Sequence, residues 1–301
     1  MNVYKLSVKT QGYYLIEKDS YEQRTARRPP WYKVSDNGEP RYFAICPACN
    51  NPVQLIGLYK LPANLHHPYG KHYGKSIPGV GLYDQNAYEW CPYSNKKQNN
   101  NDGKPKRSQS MLSQQILSLL VMHFDKVIWL LSHSTGVNID EALAKSMLLQ
   151  YRREEGWLYS RATLMNIPWV FAYMTDNQGI LFKKMRDVKL ADELVARSPE
   201  YLEQTAQHYL VKSKNCQSYI ELGVYYTKHQ SEVVDDRLHE SMDMVFTRKV
   251  GYAAVEEIYR KSVLFDFNYF NNLVNFSDWK SSPKNEQLLQ LAQEVLGDLI
   301  R

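Results

Sequence analysis

The chain has little that would hold it in a membrane or in an oxidising compartment. Its longest apolar run is only a few residues, so no segment reads as a membrane span. Met1-Asn2-Val3-Tyr4-Lys5-Leu6 shows no apolar leader and no cleavage pattern, and a cytoplasmic protein is expected. Four cysteines in 301 residues are too few for a disulfide framework. The chain also lacks Gly-x-Gly-x-x-Gly. Gly74-Lys75-Ser76 lacks the correctly spaced upstream glycine of a phosphate-binding loop, which excludes nucleotide hydrolysis of that type. No internal repeat is visible. Apolar residues at 44% of 301 support a packed core in one large domain or two ordinary ones.

What is present is unevenly placed. Three of the four cysteines and three of the eight histidines fall between Cys46 and Cys91. Charge is uneven in the same sense. Residues 1–110 hold 16 Lys/Arg and 8 Asp/Glu, a net of +8, whereas residues 111–301 hold 21 and 24, a net of −3. A basic excess beside a cysteine and histidine cluster is the direction expected of a part that meets phosphate backbones. Lys71, Lys75, Lys96, Lys97, Lys104, Lys106 and Arg107 are the residues expected to touch them. The 23 tyrosines could stack on bases, but most are expected in packing with a wet hydroxyl.

Pattern divides the chain at about residue 107. Residues 3–18 read as two short strands about Gln11-Gly12. Trp31–Val34 and Arg41–Ile45 read as strands joined by Ser35-Asp36-Asn37-Gly38, since Asn-Gly tolerates positive φ. The second strand runs into Cys46-Pro47-Ala48-Cys49, and residues 52–58 return as a strand. Residues 61–85 read as loop, 86–93 as the start of a short helix, and 96–110 as a linker. Beyond it, residues 111–131 carry apolar side chains at three- and four-residue spacing and predict one long helix, capped by Ser108 or Ser110 and ended by Gly136. Further helices are expected from Asn138 or Asp140 to about Glu155, from Asn166, over 190–210 with Ser198-Pro199 as a candidate break, over 269–276 and over 285–300. Residues 219–227 and 238–246 alternate and predict a hairpin about Asp235-Asp236. The expected class is α+β: a basic, β-rich module over 1–107, then a mostly helical domain with a small antiparallel sheet over 108–301.

Zinc in a structural site takes four tetrahedral ligands, and thiolate and imidazole suit it. A strand running into Cys-x-x-Cys and then back into a strand supplies two, Cys46 and Cys49. Cys91 is the obvious third. His66, His67 and His72 are available for the fourth position, and spacing leaves His67 and His72 open. Buried thiols or a redox pair are the plainer alternative for Cys46 and Cys49. Cys216 stands alone and is expected in the core.

The order Cys46-x-x-Cys49, His66-His67, Asn86, Cys91, Asn95 resembles the layout of HNH-type nuclease fingers and, more simply, of zinc ribbons, over about 55 residues. The HNH resemblance implies His67 as general base, His66 and Asn95 as ligands of a catalytic magnesium or manganese ion, and Asn86 as the group that orients His67. Ser94 stands where that family has its last structural cysteine, so His72 is taken as the replacement ligand. Glu221, Glu240 and Asp243 offer a weaker carboxylate site, although Glu240 and Asp243 lie on opposite faces of a regular strand. His229 and His239 flank a turn and read as surface residues. Three functions follow: a zinc-stabilised nucleic-acid-binding protein with DNA as partner, an HNH-type endonuclease, or a scaffold whose zinc is purely structural and whose helical domain binds a protein.

Overall fold

The computed structural model describes residues 1–94, 103–275 and 284–300. The class is α+β: helices and antiparallel sheets alternate along the chain. Two short strands, β1 (Val3–Tyr4) and β2 (Tyr14–Leu15), pair across the Gln11-Gly12 region. Helix α1 (Lys18–Thr25) follows. The sequence reading missed it because only Tyr21 and Thr25 of its eight residues are buried, so it carries no apolar stripe.

Strands β3 (Tyr32–Val34), β4 (Pro40–Ile45), β5 (Pro52–Ile56) and β6 (Tyr69–His72) form a four-stranded meander in that order. The β3–β4 turn has the expected chemistry, with Gly38 at φ 76° and its N–H donating to the Ser35 carbonyl. Strand β6 lies where a loop is expected. Tyr-Gly-Lys-His has no alternating apolar pattern, and pairing with β5 makes it a strand. Helix α2 (Gln85–Glu89) is capped by Asp84, whose carboxylate accepts from the Ala87 N–H at 3.0 Å.

The long helix expected over 111–131 is two helices. Helices α3 (Met111–Met122) and α4 (Phe124–Thr135) meet at His123 with an 81° bend. Leu117, Leu120, Phe124, Val127 and Leu131 are all buried along the bent pair. A straight helix could not turn both halves into one core. Ser110 caps α3 in a reciprocal box with Ser113, and Gly136 ends α4 at φ 80°. No single described helix is long and apolar enough to cross a membrane.

Helix α5 (Glu141–Arg153) follows its Asp140 cap, and α6 (Ile167–Tyr173) is buried all round. After the two-residue strand β7 (Gln178–Gly179), α7 (Val188–Ala196) stops short of Ser198-Pro199. The rest of the helix expected over 190–210 is instead a pair of short strands, β8 (Leu202–Gln204) and β9 (Leu210–Lys212). Strands β10 (Ile220–Val234), β11 (Arg237–Val250) and β12 (Glu256–Leu264) form the large sheet, in the order β12-β11-β10-β7. The β10–β11 turn is Asp235-Asp236, both at positive φ, as a two-residue hairpin turn with the right twist requires. Helices α8 (Phe267–Asn275) and α9 (Glu286–Leu296) follow, and a single 3-10 turn over Gly297–Leu299 ends the described chain.

The core does not stop at residue 107. One apolar cluster joins Tyr4, Cys46 and Val53 to Leu117, Trp169 and Phe246. A bulge lies within β10, where the register shifts between Thr227 and Gln230 and Lys228 takes φ 51°. It turns His229 inward. His229, expected at the surface, is 1% exposed and stands 3.4 Å from the buried carboxylate of Glu240. The Asn166 amide donates to the same carboxylate at 2.8 Å. The Tyr159 hydroxyl meets the other imidazole nitrogen at 3.2 Å. The three carboxylates weighed as an ion site are apart in role. Glu240 is buried, Asp243 pairs with Arg260 at 3.0 Å, and Glu221 faces Lys249 at 4.0 Å. Cys216, expected in the core, is half-buried.

Candidate metal centre

The knuckle is a turn between β4 and β5. Ile45 pairs with Pro52 at the end of the ladder, and the next residues close on themselves. The Cys46 N–H donates to the Asn51 carbonyl at 2.9 Å, and the Asn50 N–H to the Cys46 carbonyl at 3.0 Å. Asn50 takes φ 62°, which asparagine tolerates. The turn leaves Cys46 at 0% and Cys49 at 3% exposure. His72 ends β6, where the register sets it opposite Val53 of β5. Cys91 arrives just beyond α2, with its N–H donating to the Tyr88 carbonyl at 3.1 Å.

Three separate elements thus bring Cys46, Cys49, His72 and Cys91 together, with one ligand atom from each within 4.8 Å of the others. Cys49 Sγ lies 3.3 Å from His72 Nε2, and Cys46 Sγ lies 3.7 Å from Cys91 Sγ. With the usual Zn–S and Zn–N lengths, the edges of a tetrahedron are about 3.8 Å between sulfurs and about 3.6 Å between sulfur and nitrogen. The observed edges match both to within a few tenths of an ångström. A disulfide needs about 2.05 Å between sulfurs, and all four cysteines are free. Among the described residues no second group of three or more His, Cys, Asp or Glu side chains converges in this way.

Polar groups around the cluster hold it in place. The Asn51 carboxamide accepts from the Asp84 N–H at 2.7 Å and donates to the Asp84 carbonyl at 3.0 Å and to Cys49 Sγ at 3.4 Å. It ties the knuckle to the helix that delivers Cys91. Tyr88 packs edge-on against the His72 ring at 5.1 Å. Sequence reasoning missed both, since their roles depend on which segments meet. Burial opposes ionisation of Cys46, but hydrogen bonds from the Cys49 and Cys91 thiols and from the Cys49 and Ala48 backbone outweigh it and draw its thiol well below the ordinary value. Burial and the neighbouring sulfurs push Cys91 well above it. A divalent cation would reverse that penalty, because it favours every thiolate at once.

The other predicted site residues are distributed differently. His66 and His67 lie exposed in the loop before β6. His67 Nε2 stands 3.2 Å from Asp236 at the tip of the β10–β11 hairpin, and the Met1 ammonium lies 2.9 Å from the same carboxylate. Asn86 is exposed on α2, and among the described residues no hydrogen bond joins it to His67. Asn95, Lys96 and Lys97 lie outside the described residues. Lys71 and Lys75 are exposed. Lys104 lies over the Tyr173 ring at 5.0 Å, and Lys106 pairs with Glu155 at 3.2 Å. Arg107 requires a correction. It is buried, and its Nη2 donates to the carbonyls of Tyr159, Ser160 and Ala162, so it offers nothing to an outside phosphate. The charge pattern suggested otherwise because it cannot distinguish a surface cation from a buried one. The cluster is compatible with a Cys-His finger. Compared with models of known families, with curated proteins and with solved structures, the chain matches none.

Proposed function

We propose that Cys46, Cys49, His72 and Cys91 hold one structural zinc ion, and that the basic module it clips binds nucleic acid, with DNA the first partner to test. The observation that carries the metal is the pair of tetrahedral edges, 3.3 and 3.7 Å. Four protein ligands fill a tetrahedral shell and leave no position for water, which is the pattern of structural rather than catalytic zinc. The ion would lock the β4–β5 knuckle, the end of β6 and the helix α2 segment into one unit.

The nucleic-acid part rests on charge. The segment up to residue 110 carries +8. Lys71 and Lys75 flank the ligand His72, are exposed, and have no carboxylate partner among the described residues. Titrating zinc-loaded protein with mixed-sequence duplex and single strands at low salt tests it. Salt-sensitive binding supports the reading, and no binding at low salt overturns it. The metal part is tested separately, by metal content.

A further inference from the structure

The basic excess of the first segment divides by what each cation touches. Lys5 and Arg107 are buried. Lys106 pairs with Glu155, and Arg27 lies over the rings of Tyr32 and Tyr59 at 5.7 and 5.0 Å. Lys33, Arg41 and Lys71 have neither an ion pair nor a side-chain hydrogen bond among the described residues. Strand register puts these three on one face of the meander. Lys33 stands opposite Arg41, Phe43 opposite Gln54, and Gln54 opposite Lys71. Arg41 and Phe43 are two residues apart on β4, so their side chains share that face. The alternate residues Tyr42, Ala44, Val53 and Leu55 enter the main core. The four strands contain no Asp or Glu, so the outward face carries three cations and no carboxylate of its own.

A groove of about 400 Å³ opens on this face beside the β3–β4 turn, lined by Lys33, Arg41, Phe43 and Tyr73. Asp36 of the turn also lines it, set against the two cations. Phe43 is 3% exposed, and the half-buried Tyr73 ring packs edge-on against it at 5.1 Å. That contact holds Tyr73 in place. The groove falls within the size range of small-molecule sites. An aromatic ring set between cations suits an unpaired strand, whose bases stack on the ring while its phosphates meet the cations. In a duplex the faces of a base are covered by its neighbours, and a ring sunk in a groove cannot reach them.

We propose that the outward face of the β3–β6 meander binds single-stranded DNA. One base stacks on Tyr73, the flanking phosphates meet Lys33 and Arg41, and the strand crosses the sheet toward Lys71. This deepens the nucleic-acid reading above and rests on it. It also gives the face opposite the core a use that packing does not supply.

The test measures binding of zinc-loaded protein to three DNA probes: an oligothymidine strand, an abasic strand of equal length, and a duplex. Wild type is compared with Tyr73→Leu, which keeps an apolar contact for Phe43, and with the double variant Lys33→Gln, Arg41→Gln. Wild type should prefer the oligothymidine strand to the duplex. Tyr73→Leu should weaken that binding by about 5–150-fold, the range for one lost base–aromatic stack, and leave abasic binding unchanged. The double variant should weaken both single strands, with the salt slope reduced by about 0.7 for each phosphate no longer neutralised. Its two changes lie at the surface, so it carries the test if Tyr73→Leu fails to fold. A wild type that prefers the duplex, or folded variants that bind the oligothymidine strand like wild type, overturns this face and leaves nucleic-acid binding intact. Equal losses of oligothymidine and abasic binding in Tyr73→Leu overturn the stacking. A wild type that binds none of the probes at low salt overturns both readings.

Discussion

Cys49 Sγ and His72 Nε2 stand 3.3 Å apart across 23 residues of chain. The two atoms meet because β6 pairs with β5 in one register, with Val53 opposite His72. A slip of one residue would turn His72 to the other face of the sheet and bring Lys71 or Tyr73 to its place. The fourth ligand is therefore chosen by strand pairing, which is why spacing alone left His67 and His72 open.

Replacing His72 removes a ligand, whereas replacing His67 removes only an exposed partner of Asp236. His72→Ala is expected to lose zinc and about 3–5 kcal/mol of stability, read as a fall in melting temperature of about 10 °C. His67→Ala should retain its zinc. Elemental analysis beside thermal melts checks both, and zinc loss in His67→Ala would point to the wrong histidine.

The surface lysines and the buried arginine separate binding from folding. Lys71→Ala with Lys75→Ala should keep fold and zinc and weaken nucleic-acid binding. The slope of log affinity against log salt should shrink by about 0.9 for each phosphate that is no longer neutralised. Arg107→Ala removes the shared donor of three buried carbonyls and should cost about 2–4 kcal/mol in denaturant melts. An Arg107→Ala protein of wild-type stability with impaired binding would restore this residue to the surface role that its charge suggested.

Glu240 holds His229 and Asn166 inside the protein. Glu240→Ala leaves those groups facing an unfilled site and should cost about 3–5 kcal/mol. Glu240→Gln keeps an acceptor for the Asn166 amide and should cost less. Urea melts of the two variants give the ordering, and equal losses would show that the carboxylate charge is what matters.

Burial brings the His123 imidazole down from 6.5 to about 4. The folded state therefore binds fewer protons than the unfolded state between pH 6.5 and 4. Stability from this group is complete above pH 6.5 and falls as the pH drops through that window, by on the order of 3 kcal/mol. His123→Gln, which keeps a polar group near Gln11, should flatten that part of the profile. Parallel slopes in the two zinc-loaded proteins would rule the assignment out.

The sequence carried the parts of the fold that depend on local pattern. Asn37-Gly38 and Asp235-Asp236 marked their hairpins and Gly136 a helix end, while two helix starts were narrowed only to Ser108 or Ser110 and to Asn138 or Asp140. Cys46, Cys49 and Cys91 stood out through residue type and the knuckle. What escaped depends on distant partners. Strand β6 exists through β5, and the bend at His123 exists because both helices face one core. His229 points inward through a bulge that alternation does not show. Lys5 and Arg107 look like surface charge until the fold encloses them.

The four-ligand zinc underlies the expectations for His72 and for the basic module. Protein purified without added metal, wild type beside Cys46→Ser, should be assayed for bound elements. One zinc per wild-type chain is expected and none in Cys46→Ser, together with a loss of stability. Wild-type protein that is folded and free of metal would contradict the zinc centre, and the four side chains would then be an ordinary buried cluster of three thiols and an imidazole.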